Sequence, residues 1–143
     1  FTPWASVKRG GPRWREIEIP SANGHGTALA VAHLYEVYAT GGLINGARVL
    51  SQEGYDALTK RRWKGVDLVL PYNIDWRTGI IGNSNRIYGP NPESYGHSGH
   101  GGSFGSGDPV AGVSIGYVMN KQSHHIMADP RALNLVNALY SCL

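Results

Sequence analysis

Between residues 27 and 40, Leu29, Val31, Ala32, Leu34, Tyr35 and Tyr38 recur at helical spacing. Gly41-Gly42 closes the run as a C-cap would, so a helix is predicted over 27–40. His33 falls inside it and is read as a packed or partly exposed residue. The turn Ile44-Asn45-Gly46-Ala47 follows. Ser51 is a good N-cap with Glu53 in the first turn, which predicts a second helix running to about Lys60. From Val66 the periodicity shortens. Segments 66–70, 79–82 and 86–88 are strand-like and separated by Pro, Asn and Gly turns. Longer strands are predicted over 95–104 and 110–120, joined by a hairpin connection at Gly105-Ser106-Gly107-Asp108-Pro109. Asp129-Pro130 is a strong helix start, followed by the apolar positions Leu133, Val136 and Leu139. Residues 1–20 are read as irregular or extended. Helices, then antiparallel strands, then a closing helix make an α+β pattern.

Composition narrows the class. The 143 residues are 41% apolar and 16% charged, in the range of a folded globular chain. No apolar run approaches the roughly 18–20 residues that cross a bilayer, so no membrane span is predicted. The chain is read as soluble, in a bacterial cytoplasm or periplasm, with the choice left open. The single cysteine, Cys142, excludes an internal disulfide and is read as a small apolar residue of the last helix. Two basic stretches, 8–15 and 60–64, hold eight of the 13 Lys and Arg residues behind the net charge of +3 and interleave with tryptophan. Such runs can grip phosphates, but more often their aliphatic stems cover the tryptophan, so no nucleic-acid partner is expected.

The segment with the most chemistry is Tyr95-Gly96-His97-Ser98-Gly99-His100-Gly101-Gly102-Ser103-Phe104-Gly105. An imidazole, a hydroxyl and a glycine in succession on an edge strand can receive an acyl substrate. The hydroxyl grips a carboxylate or carbonyl, and the glycine lets the substrate lie close. His97-Ser98-Gly99 resembles the third active-site motif of the serine β-lactamase-like superfamily, which includes class C β-lactamases, family VIII esterases and DD-peptidases. The stretch 19–28, the paired segments 102–120 and the run from Asp129-Pro130-Arg131 to Ala138-Leu139-Tyr140 resemble the same superfamily in consistent order.

The resemblance implies the C-terminal part of a β-lactamase/transpeptidase-like fold. Residues 1–65 would belong to the helical domain and its connection, and 66–143 to the last strands and closing helix of the sandwich. It implies a serine hydrolase of carboxylic esters or β-lactams, working through an acyl-enzyme and needing no cofactor or metal. His97 would assist proton movement or orient the catalytic network, Ser98 and Gly99 would bind substrate, and the backbone N–H of His100 would form half of an oxyanion hole.

The chain also departs from the pattern. No Ser-x-x-Lys occurs, since the residues three before Lys8, Lys60, Lys64 and Lys121 are Ala5, Ala57, Arg61 and Val118. No Tyr-x-Asn occurs, and Ser21-Ala22-Asn23 matches a Ser-x-Asn alternative in letters only. The nucleophile and its lysine are therefore expected upstream, in an N-terminal segment of the same protein that would complete the sheet and the site. A non-catalytic module of the same fold, binding an anionic partner through its basic stretches, is the competing reading. Two Gly-x-Ser-x-Gly matches, at Ser103 and Ser114, lack the strand-then-helix context of a nucleophile elbow. His97 and His100, placed three apart on one strand, would face opposite ways, which argues against a shared metal.

Overall fold

The computed structural model describes residues 12–143. In chain order they form α1 (Pro12–Glu16), α2 (Ala28–Thr40), a hairpin of β1 (Leu43–Ile44) and β2 (Ala47–Arg48), and α3 (Gln52–Thr59). Then come β3 (Trp63–Val66), β4 (Asn73–Trp76), β5 (Ile81–Gly82), β6 (Tyr95–Ser98), β7 (Phe104–Asp108), β8 (Val113–Tyr117) and α4 (Pro130–Tyr140). Strands β3 to β8 form one six-stranded sheet in sequence order, every pair antiparallel. The α+β reading holds.

The helix ends follow from local hydrogen bonding. Thr27 Oγ1 accepts the Ala30 N–H at 3.1 Å, and Gly41 closes α2 at φ +71. Ser51 Oγ accepts the Gly54 N–H at the start of α3, and Asp129 caps α4 with Pro130 in its first turn. Each side chain satisfies a backbone donor that the helix leaves open.

Two-residue alternation gives β7 its two faces. Phe104, Ser106 and Asp108 lie on one face, opposite Tyr117, Ile115 and Val113 of β8. There Phe104 joins Ile74, Ile81, Tyr88 and Met127, and α4 adds Ala132 and Val136 to the same core. Ile74 is wholly buried, a burial worth ~1.5–3 kcal/mol relative to leaving the side chain in water. On the other face Gly105, Gly107 and Gly116 carry nothing, and α2 settles onto the bare backbone. A Cβ on Gly107 would stand 2.5 Å from the Tyr35 carbonyl oxygen, and one on Gly116 2.1 Å from that of Ala28.

Several expected elements moved. The predicted hairpin connection at 105–109 is the buried strand β7, because its glycines are required by helix packing and not by a turn. The predicted strand 95–104 ends at Ser98, residues 99–103 form the β6–β7 turn, and Phe104 opens β7. The strand expected at 110–120 is only β8. Segment 66–70 is not a strand beyond Val66: Asp67 Oδ1 accepts the N–H groups of Val69 and Leu70, folding a turn with Leu68 and Val69 in solvent. Segment 86–88 is irregular, 79–82 shrinks to β5, and β4 was not anticipated. β6 is no edge strand, since β5 and β7 flank it. Leu29 and Leu34 of α2 are exposed, while Val37, Tyr38 and Ala39 are buried.

Cys142 lies exposed in the turn after α4, not on the helix. In the second basic stretch, Arg61 forks onto the buried Asp75 and Arg62 bonds Thr78 and the Ala57 carbonyl, so both cations serve the fold. The basic stretch 8–15 falls largely outside the described residues, as does the first half of the segment read as extended; its second half includes the short helix α1. Among the described residues no helix is long and apolar enough to cross a membrane.

The close approach of α2 sets a test. Valine is a better strand former than glycine, yet Gly116→Val forces α2 off the sheet and is expected to cost ~1–3 kcal/mol, as overpacking does. Urea unfolding measures it. An unchanged or increased midpoint would contradict this packing.

Candidate active site

The candidate site is built on the second half of β6 and the turn after it. β5 pairs only with Tyr95 and Gly96, through Gly82 and Ile81. β7 pairs with all four residues of β6. Among the described residues, therefore, no strand covers His97 and Ser98 on the β5 side. The edge character expected of this motif is confined to the half that carries it. Gly96 is fixed by packing: a Cβ there would meet the Tyr88 ring at 2.4 Å and the Gly105 carbonyl oxygen at 2.7 Å.

His97 and Ser98 leave the strand on opposite faces. His97 shares the face of Tyr95, its ring 5.9 Å from that of Trp76 and its Nδ1 3.0 Å from the Ser98 carbonyl oxygen. The ring keeps solvent contact, yet desolvation by the surrounding protein lowers its pKa below the ordinary histidine value. The Ser98 carbonyl offsets this only in part. The imidazole is accordingly neutral at pH 7.

Ser98 lies opposite Phe104, half-buried, in a cleft shared with Met127, Ala132 and Leu133. Beneath it Tyr88 stacks on Phe104 at 5.6 Å, its hydroxyl buried and without a hydrogen bond among the described residues. Burial pushes that phenol well above its ordinary pKa, the nearby Ser98 hydroxyl only partly opposing it, so it stays protonated.

The turn carries Gly99 and His100. The Gly99 N–H donates to the Ser103 carbonyl oxygen at 2.7 Å, and the Gly102 N–H to that of Gly99 at 3.1 Å. A Cβ on Gly99 would stand 2.1 Å from Ser103 Oγ. Gly101 and Gly102 take φ +96 and +115, conformations that favour glycine. His100 is half-buried in this turn, so it and His97 do not share a strand as assumed in the sequence analysis.

Two residues of this site were read only as a helix start. Asp129 and Arg131 reach the turn directly: Arg131 donates to the Gly101 carbonyl oxygen at 3.2 Å, and a Cβ on Gly102 would stand 2.4 Å from Asp129 Oδ2. Asp-Pro-Arg announces a cap, but nothing in the sequence says that its arginine folds back across 30 residues. The Arg131 guanidinium, the chief cause, holds the Asp129 carboxyl well below the usual carboxylate range, aided by Ser123 and opposed by desolvation.

The remaining candidates are placed elsewhere. Ser103 is followed directly by β7 and Ser114 lies within β8, so neither sits between a strand and a helix. Asn23 is tied to its own loop, accepting the Ile19 N–H and donating to the Trp14 carbonyl oxygen. The Ser21-Ala22-Asn23 run precedes α2, whose N-cap is Thr27.

With this geometry in view, a protein-family model described as Beta-lactamase matches residues 2–138. The chain belongs to the Beta-lactamase family. An esterase/beta-lactamase, LipL, of Mycobacterium tuberculosis (strain ATCC 25618 / H37Rv) is 38% identical over 109 residues, 74% of this chain and 24% of that protein. Among solved structures, a penicillin-binding protein homolog from Caulobacter crescentus is 48% identical with a TM-score of 0.88. It is matched over 100% of this chain and 38% of its own. A family VIII carboxylesterase is 38% identical with a TM-score of 0.89, over the same shares. This Beta-lactamase-family chain thus spans a quarter to two-fifths of the relatives it matches, and its α+β architecture is theirs.

The pairing of Asp129 with Arg131 gives a pH prediction. Asp129 has a lowered pKa, so the folded state favours its charged form more than the unfolded chain does. Its contribution to stability is complete above the unfolded carboxyl value near pH ~4 and fades as pH falls below it. Urea midpoints between roughly pH 2.5 and 6 should therefore fall less steeply with acid in Asp129→Asn than in the parent. Parallel slopes would show that Asp129 is not held ionised by this network.

Proposed function

We propose that the full-length protein carrying this chain is a serine hydrolase of carboxylic esters or β-lactams that works through an acyl-enzyme. The nucleophile and its lysine come from the N-terminal segment, and this chain contributes the third motif, His97-Ser98-Gly99. The observation that carries the reading is the shape of β6: a strand whose motif half no described strand pairs on one side, and which runs into a glycine turn. An acyl substrate laid along that edge meets backbone groups from the side and the turn at its end.

The chemistry balances without a cofactor. The serine hydroxyl adds to the carbonyl carbon and passes its proton to the neighbouring lysine. The tetrahedral oxyanion takes the His100 backbone N–H as one of its donors, an interaction worth about 3 kcal/mol in acyl transfer. The C–O or C–N bond then breaks, with the proton returning to the leaving oxygen or nitrogen, and water releases the acid and the serine. His97 and Ser98, on opposite faces, serve different parts of the substrate. His97 assists proton movement on the Trp76 side, and Ser98, with Gly99 beside it, binds the substrate carboxylate or carbonyl. Because His97 is neutral at pH 7, it supplies no permanent cation for a β-lactam carboxylate, which favours uncharged esters. The names of the relatives, an esterase/beta-lactamase and a carboxylesterase, support the same substrate class.

Intact-mass analysis after treatment with a serine-directed acylating probe tests this. The full-length protein should gain one adduct outside residues 1–143, and those residues alone should gain none. An adduct on Ser103 would overturn the assignment. A full-length protein that takes no adduct but binds polyanions in a salt-dependent way would support the non-catalytic module instead. His97→Lys should raise cephalosporin turnover relative to ester turnover about tenfold, the worth of one charge-assisted hydrogen bond. An unchanged ratio would remove His97 from substrate selection.

A further inference from the structure

The turn that holds His100 is pinned from outside its own hairpin. The Gly101 N–H donates to the His125 carbonyl oxygen at 3.0 Å, while the Gly101 carbonyl accepts the Ser123 N–H at 2.9 Å. That same carbonyl also accepts Nη2 of Arg131. Arg131 is in turn held by Asp129: Nε lies 3.0 Å from Oδ1 and Nη2 2.7 Å from Oδ2, with Nη1 donating to the Lys121 carbonyl oxygen at 2.7 Å. Asp129 is almost wholly buried and also accepts the Ser123 hydroxyl at 2.7 Å. One guanidinium therefore joins the β6–β7 turn, the loop after β8 and the start of α4.

We propose that Arg131, oriented by Asp129, is a positioning residue that fixes the direction of the His100 backbone N–H by clamping the adjoining Gly101 carbonyl. The Gly101 carbonyl shares one planar peptide with the Gly102 N–H, which donates to the Gly99 carbonyl oxygen at 3.1 Å, and that carbonyl shares its own planar peptide with the His100 N–H, so holding the first orients the last. An oxyanion donor must be aimed before charge develops, since a donor that reorients during reaction stabilises little. Each nitrogen of Arg131 is already committed to a protein acceptor, which leaves the side chain organising the turn and not gripping substrate. Lysine cannot replace it, having one point charge where the clamp uses a planar fork. The assignment of the N–H to an oxyanion rests on the hydrolase reading; the clamp itself does not.

The experiment compares full-length wild type with Arg131→Lys, Arg131→Ala and Asp129→Asn by two readouts. Amide exchange, followed by mass spectrometry over 99–104, reports the turn whether or not the protein is active. It should speed up at least about tenfold in all three variants while exchange in α2 stays as in wild type. Steady-state ester hydrolysis should show kcat lower by about 10- to 100-fold with KM changed by less than about threefold, the pattern of a lost transition-state interaction. Added guanidinium ion should return part of the kcat of Arg131→Ala. Unchanged exchange over 99–104 would overturn the clamp. A raised KM with kcat unchanged would overturn positioning in favour of a substrate contact. If Arg131→Ala does not fold, Arg131→Lys and Asp129→Asn decide the matter by the same criteria. Inactive wild type would sink the hydrolase reading alone, and the exchange result would still decide the clamp.

Discussion

The backbone of α2 rests directly on the backbone of β7 and β8, and this contact tolerates no side chain beneath it. Gly105 lies under the Tyr35 ring, Gly107 under the Tyr35 carbonyl and the Tyr38 Cβ, and Gly116 under the Ala28 carbonyl and the Ala32 amide. On the opposite face the same two strands present Phe104, Ile115 and Tyr117 to a core shared with α4. β7 is thereby gripped between two layers, and the full pairing of β6 with β7 fixes β6 in turn. Everything proposed for the motif depends on that register, because a one-residue slip would exchange the faces of His97 and Ser98.

A rigid strand alone would not aim a backbone amide, since the donor of interest lies beyond its end. The turn after Ser98 consists of three glycines around His100, a composition that permits close approach but specifies little. Its geometry is supplied from elsewhere, by the carbonyl of His125, the amide of Ser123 and the fork of Arg131. Loss of conformational freedom in the turn is thus offset by bonds from the loop after β8 and from the start of α4. Asp129, ionised and buried, holds that arrangement together.

The residues differ in how openly they announced their roles. Thr27, Gly41, Ser51 and Asp129 act through hydrogen bonds to backbone groups only a few positions away, and so the helix ends were legible. β7 was not: Phe104-Gly105-Ser106-Gly107-Asp108 has the composition of a turn, and only the arrival of α2 explains why its glycines form a buried strand. The reverse error befell Val66-Asp67-Leu68-Val69-Leu70, where alternating apolar residues suggested a strand and the Asp67 carboxylate folds a turn instead. The motif itself stood out because an imidazole, a hydroxyl and four glycines within eight residues are rarely needed for packing alone. Its supports did not stand out, since Asp129 and Arg131 reach the site by a long-range contact that no local pattern encodes.

The account turns on where a trapped tetrahedral oxygen would sit. Crystallography of the full-length protein after reaction with a phosphonate ester gives that position directly. The prediction is a modified serine outside residues 1–143, with the phosphonyl oxygen about 2.7–3.1 Å from the His100 backbone nitrogen. A phosphonyl group attached to a serine within these residues, or an oxygen turned away from His100, would contradict the assignment of this site.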